Sequence, residues 1–168
     1  TYTLDGEVLV TAYTDDNDLL HLNKPAYATP WKPRNLNGNT QFYPRVEGAF
    51  RRIIRHGTSP ADYYWVVTDK NGTKYYYGDT DSSCLKGPQG NIARWCLTRI
   101  VDTYGNKISY SYVPYTYNVP NSTNAGIQLL LSKINYTGHA PSSERGRYNI
   151  HFFYAQDEKI DGVTSARF

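Results

Sequence analysis

The sequence predicts an all-β protein, and three observations carry that prediction. Tyrosine is strongly over-used, 17 of 168 residues, in company with Gly, Asn, Thr and Ser. It suits a pleated surface with one face buried and one wet. Apolar and polar residues alternate with a period of two over several runs. Those runs flank short turns in which Gly is placed for a positive φ angle. With 39% apolar residues the chain has enough for one core and not for two, so residues 1–168 read as a single module. A chain that opens on "TYTLDG" and stops at "GVTSARF" reads as a piece excised from a longer protein.

Taken in order, residues 1–41 form an irregular, loop-rich start. Stretches such as "NKPAYATPWKPRNLNGNT" are dense in Pro, Asn and Gly. Within them only "GEVLVTAY", Gly6 to Tyr13, reads as a strand. Residues 42–155 form the β core. There "VEGAFRRIIRH", Val46 to His56, spaces its apolar residues as a short helix would, with Gly48 counting against it. From Tyr63 the pattern sharpens: "YYWVVT" and "TKYYYG" flank the turn "DKNG", Asp69 to Gly72, and predict a hairpin.

The same arrangement returns 33 residues later, where Asp102, Gly105, Lys107 and Tyr110 repeat Asp69, Gly72, Lys74 and Tyr77. A weaker third echo sets "LSKI", Leu131 to Ile134, with its following Gly138, against "LTRI", Leu97 to Ile100. The unit is a strand, a turn with Gly and a Tyr-rich strand. "KISYSYV" puts Ile108, Tyr110 and Tyr112 on one face and Ser109 and Ser111 on the other. "RYNIHFFYA" puts Tyr148, Ile150, Phe152 and Tyr154 opposite Asn149, His151 and Phe153. With "QLLLSKINYT" between them, antiparallel strand-turn-strand units follow, in a twisted meander or sandwich.

The charge excludes several partners. A net charge of +3 is too small to argue for nucleic acid or an anionic membrane. The densest cationic spot, "FRRIIRH", is most simply a solvated face. No apolar run is long enough to span a membrane. Cys84 and Cys96 are too few for a disulfide scaffold. They form one possible disulfide if the protein is exported, or two free buried thiols. Sequons stand at Asn71, Asn121 and Asn135, in a chain rich enough in Asn and Thr to make them by chance.

Chemistry has little to stand on. "DTDSSCLKGPQG", from Asp79, offers Asp79, Asp81 and Ser83 to calcium but lacks the Gly and Glu that define an EF-hand loop. The acidic "TDDND", Thr14 to Asp18, reads as a turn. His21, His56, His139 and His151 are scattered, away from ligand spacing. There is no nucleophile elbow, phosphate loop or pair of carboxylates in an apolar setting. No catalytic residue and no cofactor is predicted. The remaining binding candidates are Tyr75, Tyr76 and Tyr77, at least one of which must face outward. Exposed rings at alternate strand positions would suit a carbohydrate-binding module, with a glycan as ligand.

Four motifs in sequence carry a resemblance. "TLDGEVLV" spans Thr3 to Val10, and Arg45, Val46, Glu47 and Gly48 are followed by Phe50 and Ile53. A hairpin runs through Trp65, Val67 and Gly72 to Tyr77 and Gly78. Arg94, Trp95 and Leu97 lead to Asp102, Gly105 and Asn106. In this order and spacing the chain resembles the SpvB-like domain. That domain stands at the front of insecticidal Tc-toxin B components and of a Salmonella virulence plasmid protein, and is related to Rhs/YD-repeat proteins. The resemblance covers Thr3 to about Tyr154; the loops and both cysteines depart from it.

The resemblance implies a β build in which Val46 to His56 is a strand and not a helix. In Tc toxins the B and C components close into a hollow shell around a toxic polypeptide. The chain would then be a non-catalytic piece of shell wall in a secreted or cell-surface protein. Its partners would be neighbouring domains of the same parent and a C-type toxin component. The Glu-x-Glu pair of an ADP-ribosyltransferase and the Asp-Pro-x-Gly self-cleavage run are both missing from these 168 residues.

Overall fold

The computed structural model describes residues 1–14, 20–21, 32–33, 35–46, 48, 50–118, 125–140, 146–154, 159–160 and 163–164. Ten strands run in chain order: β1 (Tyr2–Leu4), β2 (Glu7–Thr11), β3 (Asn39–Pro44), β4 (Arg52–His56), β5 (Tyr64–Thr68), β6 (Lys74–Tyr77), β7 (Leu97–Val101), β8 (Asn106–Asn118), β9 (Ala125–His139) and β10 (Tyr148–His151). Their order in the sheet is their order in the chain, and every pairing is antiparallel. The meander expected from the alternation is therefore present, as one open sheet. Among the described residues no second large sheet lies across it as a sandwich would require; the remaining pairings have two or three short strands each. Asn35–Leu36 adds to β3. A hairpin of Cys84–Lys86 and Ile92–Trp95, entered through a 3-10 turn at Asp81–Ser83, interrupts the meander between β6 and β7.

The repeat has a common physical cause. In both turns the first Asp carboxylate accepts two backbone N–H groups, from Asn71 and Thr73 at 2.8 and 3.0 Å and from Tyr104 and Asn106 at 2.9 and 2.8 Å. Gly72 and Gly105 each donate an N–H to the Asp carbonyl at 3.1 Å, and both sit at a φ of 85°. Each turn is thus a tight hairpin loop closed by a left-handed glycine. The third echo fails. Gly138 lies inside β9, which runs unbroken to His139 because Asn106 and Lys107 of β8 pair with it there.

The Asp102 carboxyl is held below its ordinary value of 3.8, first by the Asn106 side-chain amide and then by backbone N–H groups. Its contribution to stability is therefore complete above pH 3.8. It fades as the pH falls from there through the lowered folded value. Asp102→Ala is expected to melt at a lower temperature than the parent at pH 7. That gap should close on acidification below 3.8, which a series of thermal melts checks.

The core sits on one face of the first seven strands. Leu9, Phe42, Ile53, Trp65 and Val67 are buried, with Tyr2, Leu4, Tyr75, Tyr77 and Trp95 packed against them. Register explains the set: Phe42, Ile53, Val67, Tyr75, Ile100 and Ile108 lie opposite one another across successive strands. Directly paired residues share a face. The sheet coils strongly. Four strand spacings, about 19 Å in a flat sheet, separate β1 from β5, yet the Tyr2 and Trp65 rings have centroids 4.9 Å apart. The Cys84–Trp95 hairpin closes the same face. The Trp95 ring stands edge-on to Trp65 at 5.8 Å, and its indole N–H donates to the Tyr63 carbonyl at 2.6 Å.

Two expectations change. The helical spacing at Val46 to His56 does not form a helix; Arg52–His56 is β4, as the resemblance implied. Val46 and Phe50 are exposed, while Ile53 is buried and Ile54 turns to the other face. Near the start of the chain β2 falls within Gly6 to Tyr13, the stretch read as a strand; β1 pairs with it, and Leu9 joins the core. The alternation after Arg147 sets its faces as predicted, but β10 ends at His151 and all four of its residues are exposed. Asn121 and the acids of "TDDND" lie outside the described residues.

Candidate functional site

Tyr75, Tyr76 and Tyr77 divide between the two faces of the sheet. Tyr75 and Tyr77 point to the core, opposite Val67 and Trp65 on β5. Burial pushes the Tyr77 phenol above its usual range. Tyr76 points the other way, in a row with Ile54, Val66 and Arg99. The Arg99 guanidinium lies 3.9 Å over its ring and is held there by the Asp79 carboxylate at 2.6 Å. Only one of the three rings therefore faces outward, and its exposed side is covered by a cation. The adjacent ring on that face, Tyr64, is stacked on His56 at 4.6 Å. Tyr112 on β8 donates its phenol to the Leu97 carbonyl at 2.8 Å and is pushed up to about 12 by burial.

Cys84 and Cys96 are free thiols in this structure, both half-buried. Burial raises both pKa values, which makes them poor nucleophiles near neutral pH. The oxygens of the Asp79 loop already have partners. Asp79 takes Arg99 and the Thr98 hydroxyl, Asp81 takes Lys86, and Ser83 donates to the Thr80 carbonyl. Among the described residues no three His, Cys, Asp or Glu side chains are grouped to hold a metal ion. His56 stands on the outer face with its pKa lowered by burial, and His151 stacks on Phe153 at 6.2 Å.

Two features were not read from the sequence. Arg55 points to the core side, where its guanidinium lies 4.0 Å from the Tyr63 ring centroid, 5.5 Å from Phe42 and 5.8 Å from Tyr2. The box of rings replaces water around a charge, and its Nε has no hydrogen-bond partner. The second feature is the polarity of the outer face. Strands β4 to β10 contain no Asp or Glu at all. The pairing places Arg52, Lys74, Arg99, Lys107 and Lys133 together on the face opposite the core. The signal was present as basic residues in strands and acids in turns, which a single net charge averages away.

These elements define an open wall of antiparallel β-structure, apolar on one side and cationic on the other. The chain belongs to the family of the Salmonella virulence plasmid 65kDa B protein, SpvB, whose model matches residues 3–161. It is 30% identical over 149 residues to the mono(ADP-ribosyl)transferase SpvB of Salmonella typhimurium (strain 14028s / SGSC 2262), covering 83% of this chain and 25% of that protein. The same figures hold for SpvB of Salmonella enteritidis. The chain thus spans about a quarter of the curated relatives it matches.

Among solved structures it is similar to the N-terminal domain of the effector SpvB from Salmonella typhimurium strain LT2. That match has a TM-score of 0.59 and 28% identity, over 83% of this chain and 46% of the other. It shares its fold with part of the TcdB2-TccC3-TEV structure, at a TM-score of 0.62 and 21% identity over 93% of this chain and 8% of the other. The domain is a toxin-associated structural domain by fold and family.

Proposed function

We propose that this chain is a non-catalytic wall segment of a large secreted or surface-delivered toxin-like protein. It would join neighbouring domains of its parent, and a C-type toxin component, in a β-shell that encloses or presents a toxin polypeptide. The observation that carries this reading is the unfinished state of the apolar face. Beyond β7 that face continues through Ile108, Ile127, Tyr136, Tyr148 and Ile150. Nothing described covers it: Ile127 is 51%, Ile150 48% and Tyr148 59% exposed. A contiguous apolar surface of this kind marks a packing site. β10 also ends the sheet with one edge unpaired.

The transferase name belongs to the whole SpvB protein, while the solved likeness is to its N-terminal domain. That division supports a scaffold role for this region. Among the described residues no helix is long and apolar enough to cross a membrane. The test is chemical accessibility. An Ile150→Cys variant, labelled with a maleimide and mapped by peptide, should react at least about tenfold more slowly in the full parent than in the 168-residue chain. Equal rates in the two would sink the wall reading.

A further inference from the structure

We propose that the cationic outer face is a binding surface for an acidic polysaccharide, a sulfated one first. Arg52 on β4 and Lys133 on β9 lie five strand spacings apart, about 24 Å along the sheet. Lys74, Arg99 and Lys107 fall between them on the same side. Arg99 is neutralised by Asp79 and anchored on Tyr76, and Lys107 has an interaction of its own. Arg52, Lys74 and Lys133 therefore supply the charge that meets the ligand. His151 lies directly beside Lys133. The face is hollowed into two shallow grooves of about 630 and 370 Å³.

The lining selects the class of polyanion. Between the cations stand Thr68, Ser109, Ser111, Asn135 and Asn149, groups that exchange hydrogen bonds with sugar hydroxyls. Only Ile54 and Val66 offer apolar surface on the β4–β6 part of this face. That leaves no deep apolar pocket to anchor an acidic peptide. Both rings on that part of the face, Tyr64 and Tyr76, are already stacked on His56 and Arg99, so between Arg52 and Arg99 the bases of a single-stranded nucleic acid find no free platform. A polymer whose sulfates recur along a rigid chain meets the cations without ordering cost of its own, and its hydroxyls meet the Ser, Thr and Asn side chains. This surface is opposite the one used in the wall reading, so either proposal stands if the other fails.

The test uses the 168-residue chain and heparin as probe, with dextran and polyglutamate as comparators. The triple variant Arg52→Gln, Lys74→Gln, Lys133→Gln should bind heparin at least about tenfold more weakly at low salt. The matched variant Arg45→Gln, Lys70→Gln, Arg94→Gln removes the same charge elsewhere and should bind as the parent does. In the unmodified chain heparin should protect Lys74 and Lys133 from acylation while Lys70 stays reactive, a readout that needs no variant to fold. Equal weakening of both triple variants, equal protection of all three lysines, or polyglutamate binding as tightly as heparin would overturn the proposal.

Discussion

Trp65→Ala is expected to cost the fold about 3–5 kcal/mol, the largest effect of any single side-chain truncation here. Trp65 is buried among three rings that meet it edge to face. Tyr2 is 4.9 Å away, Phe42 5.2 Å and Trp95 5.8 Å. These come from β1, β3 and the hairpin before β7, so the indole is where three distant segments are joined. Its removal leaves a hole bordered by a coiled sheet whose backbone cannot close in without breaking ladder bonds. Trp65→Phe keeps an edge-to-face partner and should recover more than half the loss. Urea unfolding followed by circular dichroism measures both. A loss below about 1 kcal/mol for alanine would show that the aromatic cluster does not hold the coil.

Gly78→Ala should cost about 2–4 kcal/mol although it adds one methyl group. Gly78 sits at a φ of 70°, where a side chain alone costs about 1 kcal/mol. An added Cβ would also overlap the Trp95 indole and approach the Cys84 thiol at 3.1 Å. Moving the indole breaks its bond to the Tyr63 carbonyl and withdraws a ring from the core, a further 1–3 kcal/mol by the usual cost of overpacking. Gly90→Ala is the control. Gly90 has a φ of 79° but open space around it, so only the backbone cost should appear. The difference between the two variants isolates the fit of Trp95 against the strand end. Equal losses would remove that role.

Much of this architecture is legible in the sequence because short-range rules govern it. The "DKNG" turn and its echo at Asp102 are read from residue type, and the alternation of Ile108, Tyr110 and Tyr112 against Ser109 and Ser111 is read from period. Both are local. The misreading of Val46 to His56 is also local: β4 carries apolar residues on both faces, Ile53 inward and Ile54 outward, and such a strand imitates helical spacing. What stays hidden depends on contacts between distant positions. That Tyr76 lies beneath Arg99, that Arg55 is boxed by rings, and that Trp95 returns to the core through a hairpin all follow from register and coiling. The cationic face was hidden for a different reason. Its residues are each ordinary, and their common side appears only when seven strands are laid next to one another.

The proposal that this domain is one course of a larger β-wall is tested most directly at β10. Hydrogen exchange of the β10 amides, compared between the 168-residue chain and the full parent protein, tests it. In the isolated chain, the N–H groups of Tyr148–His151 that face away from β9 should exchange nearly as fast as unstructured backbone. In the parent they should be slowed by orders of magnitude as a further strand pairs with that edge. Fast exchange at those positions in both proteins would mean that the sheet ends at β10, and the wall account would be wrong.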